Sequence, residues 1–114
     1  MAPVFSARLI QQPSVTGGPL LAYTAPTGFI TVVKCITVVW GDVTVSGLDA
    51  WVIDDSGAKL VRRTIAAGVQ PYEELGGCDV FYGAWAYNGG DGLSVQTASG
   101  TADFLASGYQ LTLP

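Results

Sequence analysis

The longest β-prone run in the chain, residues 29 to 40, reads Phe-Ile-Thr-Val-Val-Lys-Cys-Ile-Thr-Val-Val-Trp and constrains the fold more than any other segment. Its β-branched residues lose side-chain freedom in a helix and pack well on a pleated surface, so the run predicts an interior β-strand. The apolar residues do not alternate cleanly. Val32, Ile36, Val38 and Trp40 share one parity with Lys34, whereas Val33, Cys35 and Val39 share the other. Both faces of this strand are therefore expected to be covered, one by an opposing sheet and the other by a loop, a subunit or a partner. The Lys34 stem is expected over apolar neighbours with its ammonium in solvent.

Turn residues divide the rest of the chain into short extended pieces. Val4 to Gln12 reads as a first strand ended by Pro13, followed by a connection over residues 14–19, and Leu20 to Thr24 as a second strand stopped by Pro26 and Gly28. Gly41-Asp42 marks a break or a bulge before Val43-Thr44-Val45. Ala50 to Ile53 ends in Asp54-Asp55-Ser56-Gly57, where short oxygen-bearing side chains bond nearby amides and glycine takes left-handed dihedrals. Lys59 to Ile65 resumes an extended pattern. Pro71 to Leu75 reads as one helical turn, because proline suits a first turn and Glu73 and Glu74 suit a helix N-terminus. Cys78 to Tyr87 is the next strand, and Asn88-Gly89-Gly90-Asp91-Gly92 carries the strongest hairpin signal. Leu93 to Thr97 alternates. Ala102 to Ala106 and Tyr109 to Leu113 read as two pieces separated by Gly108.

Seven to nine short strands with this punctuation predict a small all-β fold: a two-sheet antiparallel β-sandwich, jelly-roll-like, with an up-and-down barrel as the structural alternative. The 114 residues suit a single domain spanning 1–114, in which residues 1–19 could also serve as a contact arm. The 15 glycines and 6 prolines break every apolar run before it is long enough to cross a bilayer, so no membrane is expected as a partner. Met1 to Arg8 lacks a basic region followed by an apolar core, which predicts synthesis and retention in a cytoplasm.

The chemistry-bearing residues are sparse. The chain has no histidine, which removes the commonest general base near neutral pH and every histidine-based nucleophile triad. Asp54 and Asp55, with Asp91 or Asp42, lack calcium-loop spacing and read as solvated turn residues. Neither they nor Glu73 and Glu74 resemble the carboxylate pair of a glycosidase. Cys35 and Cys78 without further ligands do not make a zinc site, and a disulfide between them depends on whether their strands are neighbours. Gly89, Gly90 and Gly92 lack the following helix and Lys-Ser/Thr of a phosphate cradle. No catalytic, cofactor or metal residue is therefore expected. Nine acidic residues against five basic ones, with Arg62-Arg63 the sole adjacent basic pair, argue against nucleic acid. Only 12% of residues are charged, which fits self-association or docking on a larger assembly and equally a monomer with a neutral polar surface. Trp40, Trp51, Trp85, Tyr72, Tyr82, Tyr87 and Tyr109 leave a carbohydrate-binding sandwich as an alternative, which requires an exposed aromatic platform.

The order of the pieces resembles a group of small β-sandwich proteins of tailed bacteriophages. The residues that carry the resemblance are Tyr23-Thr24-Ala25-Pro26-Thr27-Gly28, then Thr31-Val32-Val33-Lys34-Cys35-Ile36, and finally Ala106-Ser107-Gly108-Tyr109-Gln110-Leu111. Cys35 stands where the group commonly has an acidic residue, and Glu74-Leu75-Gly76-Gly77 replaces its late proline-glycine turn. The resemblance implies a noncatalytic structural protein of the virion, made in the host cytoplasm. It would decorate the capsid or build the neck or tail, as a homo-oligomer (a trimer for a decoration protein) against the major capsid protein or neck and tail proteins. Val4, Phe5, Leu9 and Ile10 on the arm, Lys34 on the long strand, and Asn88 and Asp91 in the late turn are the expected interface residues.

Overall fold

The computed structural model describes residues 4–69 and 77–112. The helical turn expected at Pro71 to Leu75 lies outside them. Eight strands follow one another: β1 (Val4–Val15), β2 (Leu20–Thr24), β3 (Phe29–Trp40), β4 (Leu48–Asp54), β5 (Lys59–Ile65), β6 (Cys78–Asn88), β7 (Gly92–Ser99) and β8 (Ala102–Thr112). They form two antiparallel four-stranded sheets, ordered β1-β8-β3-β6 and β2-β7-β4-β5. The first is sheet A and the second sheet B. The pairings nest, β4 with β5, β3 with β6, β2 with β7 and β1 with β8, which is the order of a jelly roll.

Ile10 and Val15 of β1, Val33, Ile36, Val38 and Trp40 of β3, and Phe104 of β8 meet Ala50, Val52, Val61, Leu93 and Val95 of sheet B, all nearly inaccessible to solvent. Two buried threonines are satisfied within the fold. Thr31 Oγ1 lies 3.1 Å from the Tyr23 hydroxyl, which also accepts a 2.8 Å bond from Gln110 Nε2. Thr97 Oγ1 accepts a 2.7 Å bond from the Gly17 amide.

The two-sided pattern of residues 29 to 40 has a specific cause. Val33 pairs with Gly108 and Cys35 with Ser107, so Lys34 is an extra residue against β8. This bulge reverses the facing of the strand: Thr31 and Val33 point inward before it, and Ile36, Val38 and Trp40 after it. On the other side of β8, Leu9 is the extra residue between Arg8 and Ile10 of β1. Parity across the whole run therefore misassigns Val32, which lies outside the core cluster.

Other sequence boundaries shift for equally local reasons. β1 continues through Pro13 to Val15, because an edge strand leaves one side without ladder bonds and tolerates a missing donor there. Ser14 takes a positive φ of 54°, and its amide donates a 2.6 Å bond to Asp103 Oδ1. Gly108 does not divide the last strand; β8 runs straight through it. Val43 to Val45 form no strand, only an isolated bridge from Thr44 to Gly47. Residues 88–92 make a tight reversal, but it is a corner between sheets and not a hairpin, since β6 belongs to sheet A and β7 to sheet B. Gly89 is required there, because a Cβ would lie 2.7 Å from the Thr27 Cα.

The β4–β5 hairpin follows its turn chemistry. Asp54 Oδ1 accepts bonds from the Ser56 amide (3.0 Å), the Ser56 hydroxyl (2.6 Å) and the Ala58 amide (3.0 Å), while Gly57 holds φ at 83°. The hydroxyl bond from Ser56, aided by the two amides, holds the Asp54 carboxyl below its ordinary value of 3.8. A carboxyl lowered in the folded state stabilises the fold above its unfolded value, and that contribution disappears as the pH falls below it. Asp54→Ala is expected to cost about 1 kcal/mol at neutral pH and to flatten the acid side of the stability profile, measured by urea unfolding at stepped pH.

Candidate contact surface

The outer faces of the two sheets differ in kind. On sheet A, alternation with the core residues turns Ile30 and Val39 of β3, Val80 and Tyr82 of β6, and Leu105 and Tyr109 of β8 away from the opposing sheet. Val80 is 44% and Tyr82 80% exposed, and the other four are half-buried. The outer face of sheet B is mostly polar, with Leu21 of β2 as an exposed apolar residue on it. There Arg62 Nε and Nη2 donate to both oxygens of Asp49 at 2.9 and 2.7 Å, and Thr64 Oγ1 donates to Asp49 Oδ1. The Arg62 bond keeps the Asp49 carboxyl below its usual value. Lys59 Nζ sits 4.4 Å above the Trp51 ring, and the Arg62 guanidinium 5.9 Å from it, so cations cover the one tryptophan on this face.

The remaining tryptophans do not form an aromatic platform either. Trp40 is 2% exposed, its indole N–H buried without an acceptor among the described residues, with the Arg63 guanidinium 5.4 Å over the ring. Trp85 is half-buried against the core, its ring lying over Gly83. Arg63 Nε also faces Asp79 Oδ2 at 2.6 Å, tying β5 of one sheet to β6 of the other.

Asp54, Asp55 and Asp91 do come together, with Ser56, Ala86 and Tyr87, around a shallow depression of about 270 Å³. The carboxylates are engaged in holding loops: Asp55 Oδ2 accepts from the Gly92 amide at 2.8 Å and Asp91 Oδ2 from the Asn88 amide at 2.9 Å. Among the described residues no group of three or more His, Cys, Asp or Glu is arranged to hold a metal ion. Burial first, and then the charges of Asp54 and Asp91, push the Tyr87 phenol up to about 12. A raised folded-state value stabilises the fold below the unfolded value near 10, and this contribution is lost as the pH rises toward 12. Stability is expected to fall over that interval, and Tyr87→Phe is expected to flatten the fall, read by denaturant titration alongside tyrosinate absorbance.

No protein-family model and no curated protein matches this chain. Among solved structures, the chain is similar to one from the "Structure of infectious bursal disease virus Gt strain", at 15% identity and a TM-score of 0.38, over 97% of this chain and 30% of the other. The chain thus spans under a third of the length of that structure's chain.

The residues singled out from sequence fall in three places. Val4 and Phe5 pair through the backbone with Leu111 and Gln110, so the N-terminal segment is a strand of its own sandwich; their side chains lie outside the described part. Ile10 is 1% exposed and faces the opposing sheet, beyond the reach of a partner, and Leu9 is a half-buried bulge residue. Lys34 is exposed at the second bulge, so the sheet A face opens to solvent there. Asn88 is exposed and Asp91 half-buried at the β6–β7 corner, away from the other residues. Sequence reasoning missed Val80 and Leu105 and singled out Tyr82 only for an aromatic platform, although the alternation of Val80, Tyr82 and Ala84 is visible in the chain. What it lacked was which parity faces out.

Cys35 and Cys78 are not joined in a disulfide. Their strands are neighbours, but Cys78 pairs with Val39 and Cys35 with Tyr82. Four residues of strand separate the two, roughly 13 Å at ~3.3 Å per residue, against a limit of about 7 Å between bridged Cα atoms. Among the described residues no helix is long and apolar enough to cross a membrane.

Proposed function

We propose that this chain is a noncatalytic structural protein of a tailed-bacteriophage virion that decorates or stabilises the capsid through oligomeric contacts. The observation that carries the reading is a jelly roll whose sheet A presents an outer face of mostly uncharged, largely apolar side chains, with Arg8 and Lys34 as exposed cations among them. Jelly rolls recur in viral capsid domains, in lectins and in cupins. A lectin-like role needs a platform of several exposed aromatic faces; Trp40 is buried, Trp85 half-buried and Trp51 capped by cations, which leaves Tyr82 as the one strongly exposed ring among the described residues. A cupin-type metal site draws on histidines, and the chain has none. Shell decoration needs only a face that desolvates at low cost, repeated by symmetry so that weak contacts add. The bacteriophage setting is supported by the resemblance of the three segments around Tyr23, Lys34 and Tyr109.

Electron microscopy of isolated particles tests the proposal. The expected result is symmetric density for the jelly roll on the outside of the capsid, with sheet A toward the shell. Density only at the neck or tail would move the protein there, and particles lacking the protein would overturn the virion role.

A further inference from the structure

Where the β4–β5 turn meets the β6–β7 corner, the chain has three places at which a carboxyl or carboxamide side chain precedes a small residue: Asp55-Ser56, Asn88-Gly89 and Asp91-Gly92. At each, the next backbone amide can attack the side-chain carbonyl and close a five-membered imide, once that amide has given up its proton. The structure sets the three apart. The Ser56 amide donates to Asp54 Oδ1 at 3.0 Å and the Gly92 amide to Asp55 Oδ2 at 2.8 Å, and a carboxylate acceptor holds an amide proton in place. Among the described residues the Gly89 amide has no acceptor, and the Asn88 side chain makes no hydrogen bond. Both residues are exposed, and glycine brings no side chain to shield the attack.

We propose that Asn88, the sole asparagine of the chain, is a site of spontaneous deamidation in the folded protein. The Gly89 nitrogen loses its proton and bonds to Asn88 Cγ, the Cγ–Nδ2 bond breaks, and the side-chain amide group leaves with that proton as ammonia. One water then opens the imide. Cleavage between the nitrogen and Cγ gives aspartate, and cleavage between the nitrogen and the Asn88 main-chain carbonyl carbon gives isoaspartate. No electrons are transferred; water enters and ammonia leaves. Either product puts a new carboxylate at the residue whose backbone amide donates to Asp91 Oδ2, and adds one negative charge to the formal -4. Isoaspartate also turns the main-chain carbonyl that accepts the Asp91 amide at 3.1 Å into a free carboxylate, rerouting the backbone through Cβ and loosening the corner. The inference stands apart from the virion role.

Peptide mapping by mass spectrometry, on the purified chain aged at neutral pH in native buffer and in urea, tests this. In native buffer the Asn88 peptide is expected to gain the mass of an NH-to-O exchange and to split into aspartate and isoaspartate forms, while Asp55 and Asp91 stay unmodified. Exposed turns open at little cost, so the native rate at Asn88 is expected to be no slower than about a tenth of the rate in urea. In urea, isoaspartate is expected at all three places. Asp55→Ala removes the acceptor of the Gly92 amide and is expected to admit isoaspartate at Asp91 in a chain with an unchanged far-ultraviolet dichroism spectrum. Should that variant fail to fold, the wild-type comparison decides alone. An Asn88 that loses its amide in urea but keeps it in native buffer would overturn the proposal, as would native isoaspartate at Asp55 or Asp91 in the wild-type chain.

Discussion

Gly108→Ala is expected to lower stability by about 3 kcal/mol or more, at or beyond the upper end of ordinary overpacking. An added Cβ would overlap the Val32 carbonyl oxygen and lie 3.0 Å from the Val33 Cα. Both are backbone atoms of β3, which is fixed in turn by β6, so neither can move without breaking ladder bonds. Gly57→Ala supplies the contrast. Gly57 has φ at 83° with nothing within 4 Å, so only the left-handed backbone opposes a side chain, costing about 1–2 kcal/mol. Urea midpoints measured for both variants at unchanged m-value would separate close approach from backbone strain, and equal losses would show that β3 yields.

Phe104→Ala carries the other large effect. Phe104 heads the fully buried side chains by volume, is 1% exposed, and lies on β8 opposite Val38 of β3 and Gln12 of β1. Emptying that space is expected to cost about 3–5 kcal/mol, a large part of the ~5–15 kcal/mol that holds a domain folded. Its neighbour Leu105 points the other way and is half-buried on the outer face, so Leu105→Ala is expected to cost under about 1.5 kcal/mol in the isolated monomer. Similar losses in the two variants would mean that the outer face is already covered.

How much of this is legible in the sequence depends on whether the controlling interaction is local. The Asp54 to Gly57 turn was readable because its hydrogen bonds close within a few residues. The strand over Phe29 to Trp40 was readable from its β-branched residues, and the two-sheet sandwich from the number and spacing of strands. The Lys34 bulge was not, since an extra residue exists only relative to β8, far along the chain. Gly108 looked like punctuation for the same reason: glycine marks both a turn and a close approach, and only the position of Val32 decides which. The Asn88 to Gly92 segment specifies a reversal but carries no information about which sheet receives the next strand. For the contact surface, the low charge pointed to association, but Val80, Tyr82 and Leu105 could be named only once it was known which parity faces out.

The nested pairing also sets an order of assembly during synthesis. The β4–β5 hairpin can close while the chain is still emerging from the ribosome, and β3 with β6 and β2 with β7 can close around it as the later strands appear. Sheet A, however, is completed by β8, which is the last of the eight strands to emerge and must insert between β1 and β3. Until then β3 displays the row of amides and carbonyls that β8 will occupy, a template open to any neighbouring nascent chain. The strand made last is therefore the one that seals the interior against the wrong partner.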